Sequence, residues 1–350
     1  MPGRFISRAK MRFAARADKI LTDKYIKGGA SAAPDSEELV DERIAEILAI
    51  ARDYDAPELY DDPSEFFPAP SPAMPVSRHL RRKGRHVQDL WWSSDYEVFN
   101  EAARAAYLEN AYNHQARARV WMLAPDAPTV IFIHGYRGGV YAVEERFWPI
   151  EMWLQEGFNV AMIVLPHHAE RMAPGRKRPL FPNLDPRLTI EGVRQAVSDV
   201  RALAAWFSER GSPAVGVCGM SLGGLVASNL IAAAPELAFC VPIVPLTSFA
   251  AWGDLHDTHL GRGDARARYH EAIERVSRPI DPLARAPRLD ASRISVLAGK
   301  VDMVNPAGSQ AMSVAEHVGA ELVLFDGGHL FQFGAWKAQR RLARRFARGL

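Results

Sequence analysis

Short, uninterrupted apolar runs recur through the chain, each followed by a turn rich in glycine or proline and then by residues at helical spacing. Residues 129–133 (TVIFI), 159–165 (NVAMIVL), 214–218 (AVGVC), 239–244 (FCVPIV), 294–298 (ISVLA) and 322–325 (LVLF) have the length and composition of strands buried on both faces. Residues 86–92 (HVQDLWW) and 118–123 (ARVWML) read as further strands, the latter expected to pair with 129–133 across a Pro-containing turn. Helical spacing marks 95–110, 144–155, 225–234 and 188–209, the last with Val193, Ala196, Val197, Val200, Leu203 and Ala204 on one side. Strand and helix alternating in this way predict right-handed βαβ crossovers and a mostly parallel, doubly wound α/β sheet. Sites in such sheets lie beyond the carboxyl ends of the strands.

The flanks have a different pattern. Residues 1–27 are basic and carry Phe5, Ala9, Phe13, Ala17 and Ile20 at helical spacing. This predicts a helix laid over the rest of the protein, with peripheral contact to an anionic membrane as the alternative use of the same pattern. Residues 28–34 (GGASAAP) read as a flexible break, and Asp35 with Glu38 reads as a capping box. The helix so opened, 36–52, has Val40, Ile44, Ile47, Leu48 and Ala51 along one face. Six prolines in 53–77 predict a surface linker without regular structure. Residues 246–290 are too long for a simple connection between strands and predict a helical cap insertion. The division expected is an N-terminal helical extension and linker over 1–84, and an α/β domain over 85–350 that contains the insertion. A last helix, 335–349, lines up Arg340, Arg341, Arg344, Arg345 and Arg348 on one stripe; it could add to the same membrane contact, or be a solvated face at a helix C-terminus.

Four turns that follow strands carry the chemistry. Gly219-Met220-Ser221-Leu222-Gly223 joins an apolar strand to an apolar helix, the setting of a nucleophile elbow. A serine in a strained strand-to-helix turn needs neighbours without side chains, and the helix behind it favours negative charge at the hydroxyl. His134-Gly135-Tyr136-Arg137-Gly138-Gly139 follows 129–133, Gly299-Lys300-Val301-Asp302 follows 294–298, and Asp326-Gly327-Gly328-His329 follows 322–325.

These turns, in the order Ser221, Asp302, His329, resemble the α/β-hydrolases. The likeness covers about residues 85–350 and implies a catalytic triad of those three residues, with the amides of Tyr136 and Leu222 as oxyanion hole. Asp254 is a second placement for the acid, whereas Asp326 is too near His329 in sequence. His134 fits an anchor of its own turn. A closer likeness is to the branch that includes α/β-hydrolase domain-containing protein 18. It rests on 112–121 (YNHQARARVW), on Pro166-His167-His168 followed by Arg171, and on the GMSLGG elbow. Candidate substrate contacts are His134, His167, His168, Arg171 and Trp252; loop hydrogen bonding and solvated charge are the competing roles for the histidines and the arginine.

The implied activity is cleavage of carboxylic esters through an acyl-enzyme, on a small molecule, with a lipid-like ester as one option. A peptidase or amidase, or a binding scaffold without catalysis, are the other uses of this fold. No cofactor or metal is expected: two adjacent histidines lack a third ligand at suitable spacing, and His256-Asp257-Thr258-His259 in a polar insertion fits a hydrogen-bonded surface. Composition changes little: 48% hydrophobic and 24% charged residues are ordinary, and a net charge of +2 gives no push toward nucleic acid. The two cysteines fall in predicted buried strands, which fits a reduced, cytoplasmic protein.

Overall fold

The structure, a computed structural model, describes residues 2–23, 36–82 and 84–349. The break expected at 28–34 and the Asp35 cap lie outside these residues. The helix after them is capped by Ser36, whose hydroxyl accepts from the Leu39 amide.

Among the described residues nine strands form one sheet: β1 (Val76–Arg82), β2 (Arg85–Ser93), β3 (Gln115–Trp121), β4 (Thr129–Ile133), β5 (Asn159–Val164), β6 (Val215–Met220), β7 (Phe239–Ile243), β8 (Ser295–Gly299) and β9 (Glu321–Phe325). Their order is β1-β2-β3-β5-β4-β6-β7-β8-β9. Pairing is antiparallel from β1 to β5 and parallel from β5 onward. The expected pairing of β3 with β4 is corrected: β3 lies against β5, with Arg119 opposite Met162. β4 instead sits between β5 and β6, Val130 facing Val160 on one side and Gly216 on the other. Its residues are buried throughout, and a strand with no polar face belongs where both edges and both faces are covered.

The helices are α1 (Pro2–Leu21), α2 (Glu37–Ala51), α3 (Glu58–Asp61), α4 (Pro63–Phe66), α5 (Glu101–Leu108), α6 (Tyr141–Phe147), α7 (Ile150–Gln155), α8 (Pro186–Glu209), α9 (Leu222–Ala233), α10 (Phe249–Leu255), α11 (Gly263–Ser277), α12 (Ala311–His317) and α13 (Ala335–Arg348). They cover both faces of the sheet. On one face Val200 and Leu203 of α8, Leu225 and Leu230 of α9 and Val314 of α12 pack against Ile131, Val217 and Val296. On the other, Trp153 of α7 and Phe346 of α13 meet Phe239, whose ring stacks on that of Phe346 at 4.3 Å. The helix expected over 144–155 is two helices, because Pro149 interrupts it. The helix expected over 95–110 shrinks to α5.

Two expectations for the flanks change. The linker read over 53–77 holds α3 and α4 and buries Phe66 and Phe67, and the chain enters the sheet at Val76. The boundary drawn at 84 therefore cuts the β1–β2 hairpin; β1, with sequence VSRHLRR, is a polar edge strand whose charges hid it. α2 docks through its apolar face, as its spacing predicts, and its partner is the insertion. Val40, Ile44, Ile47 and Ala51 form one apolar cluster with Ala265, Tyr269, Ala272 and Val276 of α11, so the extension packs on the insertion.

The arginine stripe of α13 is largely engaged. Arg341 and Arg345 pair with Glu321, and Arg340 and Arg344 with Glu156. Among the described residues no helix is long and apolar enough to cross a membrane.

If α2, α11 and the sheet unfold as one unit, Ile47→Ala, at a site with 0% exposure, lowers the unfolding free energy by about 2–5 kcal/mol. Urea titration followed by circular dichroism reads this as a lower midpoint at unchanged slope; an early separate transition would mean that the extension and insertion melt alone.

Candidate active site

β6 ends and α9 begins at a single residue. Ser221 has φ 56° and ψ −113°, a backbone conformation that costs a residue with a side chain about 1–3 kcal/mol. Its environment fixes that conformation: the Ser221 amide donates to the Ile243 carbonyl at 2.9 Å, and its carbonyl accepts from Leu225 and Leu246. The flanking glycines are needed for contact rather than for φ. A Cβ on Gly219 would stand 2.0 Å from the Gly223 carbonyl oxygen, and one on Gly223 would stand 2.2 Å from that of Ile133. The strand, the helix and the β4 turn are thus in backbone contact around the serine.

The turns after β8 and β9 deliver the other two groups. Ser221 Oγ lies 3.0 Å from His329 Nε2, and His329 Nδ1 lies 2.9 Å from Asp302 Oδ2. Asp302 Oδ1 accepts from the amides of Val304 and Asn305 at 2.8 and 2.7 Å, which fixes the carboxylate and keeps its other oxygen for the imidazole. The Nδ1 proton of His329 is held by Asp302, so Nε2 presents its lone pair to the serine hydroxyl. Burial works against a charged His329, but the charge and hydrogen bond of Asp302, with a contribution from Asp18, outweigh it and hold its pKa above the ordinary histidine value. Asp254 stands elsewhere, within ion-pair distance of His259 and His270 between α10 and α11, a group of three donors within 4.8 Å of one another. Asp326 pairs with Lys300. Asp302 is the acid that meets the imidazole.

The turn after β4 borders the serine closely: a Cβ on Gly135 would be 3.2 Å from Ser221 Cβ. Glu144 braces this turn, accepting from the Gly139 amide and from Trp148 Nε1, both at 2.9 Å. His134 is buried with both ring nitrogens bonded to backbone. Nε2 accepts from the Leu165 amide at 3.0 Å and Nδ1–H donates to the Gly135 carbonyl at 2.7 Å. It is an anchor of the turn, which corrects its place among substrate contacts. Tyr136 is exposed and stands in the turn beside the serine. Leu222 opens α9, where a helix leaves its first amides without intrahelical partners.

His167 takes the loop-holding one of its two expected roles, whereas Arg171 takes neither of its own. Neither lies on an open basic loop: both are buried, in a network that joins the loop after β5 to the start of β3 and to α8. Arg171 Nη1 pairs with Asp199 at 2.7 Å and donates to the Val164 carbonyl, while Nη2 donates to the Asn113 carbonyl. The His167 amide donates to Asn113 Oδ1, and Asn113 Nδ2 faces His167 Nε2 and Gln195. Desolvation, with the nearby Arg171 charge, drives the His167 pKa down to about 3, so this ring stays neutral. The two stretches that carry the closer resemblance, at 112–121 and 166–171, are therefore one hydrogen-bonded unit beneath the loop.

His168 is fully buried, Nδ1–H donating to the Pro166 carbonyl, with its ring 6.0 Å from that of Tyr136. The Trp252 ring lies 4.6 Å from that of His256, tilted at 59°, and His256 Nε2 lies 2.8 Å from the Val304 carbonyl, tying α10 to the Asp302 turn.

Sequence reasoning passed over Asp18. It is buried in α1 and accepts from the His329 amide at 2.6 Å. In the sequence it is one acid in a basic helix, and no local signal marks its partners 311 positions away.

No family model matches the chain. An uncharacterized protein of Mycobacterium tuberculosis, Rv2627c, is 28% identical over 352 residues, covering 97% of this chain and 82% of that protein. Among solved structures, acetyl xylan esterase 1 from Thermoanaerobacterium sp. JW/SL YS485 is similar with a TM-score of 0.56 at 15% identity, covering 91% of this chain and 96% of that one. The acetyl xylan esterase from Paenibacillus sp. R4 follows at 0.53 and 16%, covering 87% and 93%. The chain has the α/β-hydrolase fold.

Because Arg171 is a scaffold group, Arg171→Met leaves Asp199 buried without its partner and costs about 3–5 kcal/mol of stability. Thermal melts of the variant and of Arg171→Met/Asp199→Leu check this: the double variant regains most of the loss.

Proposed function

We propose that this chain, an α/β-hydrolase by fold, is a serine hydrolase that cleaves carboxylic esters through an acyl-enzyme. The reading rests on the hydrogen-bonded series from Ser221 Oγ to His329 at 3.0 Å and from His329 to Asp302 at 2.9 Å. His329 Nε2 takes the hydroxyl proton as Oγ bonds to the ester carbonyl carbon. The carbonyl oxygen, now an anion, is held by the amides of Tyr136 and Leu222. The tetrahedral species collapses, the C–O bond to the alcohol breaks, and the alcohol leaves with the proton from Nε2. Water then attacks the acyl-enzyme, giving its proton to His329, and the acid departs as Ser221 Oγ is reprotonated. Asp302 keeps the imidazole in the tautomer both steps need and favours its charged form. No step calls for a cofactor.

The substrate class is a small ester, and the proposed setting is the cytoplasm, where the buried free thiols of Cys218 and Cys240 stay reduced. Membrane contact through the terminal helices lacks support, because α1 turns Ala14 and Asp18 inward and Arg340, Arg341, Arg344 and Arg345 of α13 are ion-paired. The kinship with the domain-containing protein 18 branch belongs to this reading and adds no substrate to it. Esters rank above amides because an alkoxide leaves more readily than an amine. A binding scaffold is the weaker reading, since it has no need of three groups in hydrogen-bonding sequence.

A fluorophosphonate probe is expected to label the wild type and not Ser221→Ala; a folded wild type that stays unlabelled sinks the proposal. Among substrates, p-nitrophenyl esters, beginning with acetyl because two proteins of this fold are acetyl xylan esterases, are expected to turn over, and aminoacyl anilides not. Asp302→Asn is expected to lower kcat about 10⁴-fold by fixing the wrong tautomer. With the His329 pKa raised, kcat/KM falls on the acid side through a midpoint above about 6.5. A midpoint below that value would remove His329 as the base.

A further inference from the structure

α1 reaches the site through one carboxylate. Asp18 Oδ2 accepts from the amides of His329 at 2.6 Å and Met303 at 3.3 Å, and Oδ1 accepts from Leu330 at 3.1 Å. These amides belong to two different turns: Met303 follows the acid Asp302, and His329 and Leu330 are the base and its neighbour. The fit is close. A Cβ on Gly328 would stand 2.2 Å from Asp18 Oδ2, so the glycine leaves the room that the carboxylate fills. Around it, the Thr22 hydroxyl donates to the Asp18 carbonyl, the Phe13 ring meets that of Phe331 at 4.8 Å, and Lys10 Nζ lies 5.5 Å from the Phe333 ring centroid.

We infer that Asp18 is a positioning residue of the reaction, a clamp from the N-terminal helix that holds the acid turn and the base turn at one fixed spacing. This rests on the serine-hydrolase reading and extends it. Three backbone donors shared by one buried carboxylate are charge-assisted hydrogen bonds, and the clamp closes on both turns at once. Burial pushes the Asp18 pKa up against the pull of the His329 and Leu330 amides, and the charged groups facing it are Asp302, which adds to that rise, and His329, which opposes it. Its charge joins that of Asp302 in favouring the imidazolium that forms in each tetrahedral transition state. α1 is then part of the active site, and its removal disables a domain that otherwise contains the whole triad.

The test compares wild type with Asp18→Asn, which keeps the shape and removes the charge and an acceptor. On p-nitrophenyl acetate, kcat is expected to fall about 10²-fold, the scale on which a slight misplacement acts, with KM within about twofold. The acid limb of kcat/KM is expected to move to lower pH, because His329 loses one of the two carboxylates that raise its basicity. A merely structural role would lower the melting temperature and move neither kcat nor the limb; that result, in a folded variant, overturns the inference. Should Asp18→Asn not fold, Gly328→Ala displaces the same carboxylate and is expected to give the same two changes; unchanged kcat and limb there also overturn it. If the wild type neither labels nor turns over, the hydrolase reading fails separately. The clamp is then read from the His329 imidazole titration by NMR, which must shift to lower pH in Asp18→Asn; no shift ends the proposal.

Discussion

The constraint on which the rest of this structure depends is the backbone contact of β6, α9 and the β4 turn around Ser221. A residue with a side chain is held at positive φ only if its surroundings leave it no alternative. Here those surroundings are carbonyl oxygens at distances that admit no Cβ at Gly219 or Gly223, and a hydrogen bond from the Ser221 amide to the neighbouring strand at Ile243. The contact in turn requires β4 to lie next to β6. On the far side of β4 lies β5, which separates β3 from β4.

Around this point the protein uses polar side chains mainly to hold backbone. Glu144 and His134 fix the turn after β4, while the network of Asn113, His167, Arg171 and Asp199 fixes the loop after β5. Asp302 bonds its own turn with one oxygen and the imidazole with the other. On the proposed serine-hydrolase reading, a site that aligns a serine, an imidazole and a carboxylate to within a few tenths of an ångström needs such support, because each of the three stands on a loop. Buried ionic groups of this kind are worth more as geometry than as net stability.

Much of this was legible in the sequence because the chemistry sits in short turns directly after apolar runs, and both signals are local. The turns at 134–139, 219–223, 299–302 and 326–329 could each be read without knowledge of the others. What was not legible depends on partners far away. β1 has a polar, arginine-rich sequence, and only its pairing with β2 makes it a strand. Arg171 reads as one charge in a basic loop until Asp199, 28 positions on, is brought against it. The neighbour of β3 was misjudged because adjacency in sequence is the usual guide to pairing, and here the chain leaves a gap that β5 fills.

The long reach of Asp18 bears on how the protein is made. Its carboxylate is synthesised early, yet the amides that receive it lie 311 and 312 positions further along. Synthesis at about 5–20 residues per second separates Asp18 from these partners by many seconds on the nascent chain. A contact of such sequence separation closes late, after the loop entropy has been lost to nearer contacts. The segments that build the serine elbow, through Leu246, are made before the turns at Met303 and His329 that Asp18 joins, so a nascent chain that already holds the elbow is still an unfinished site.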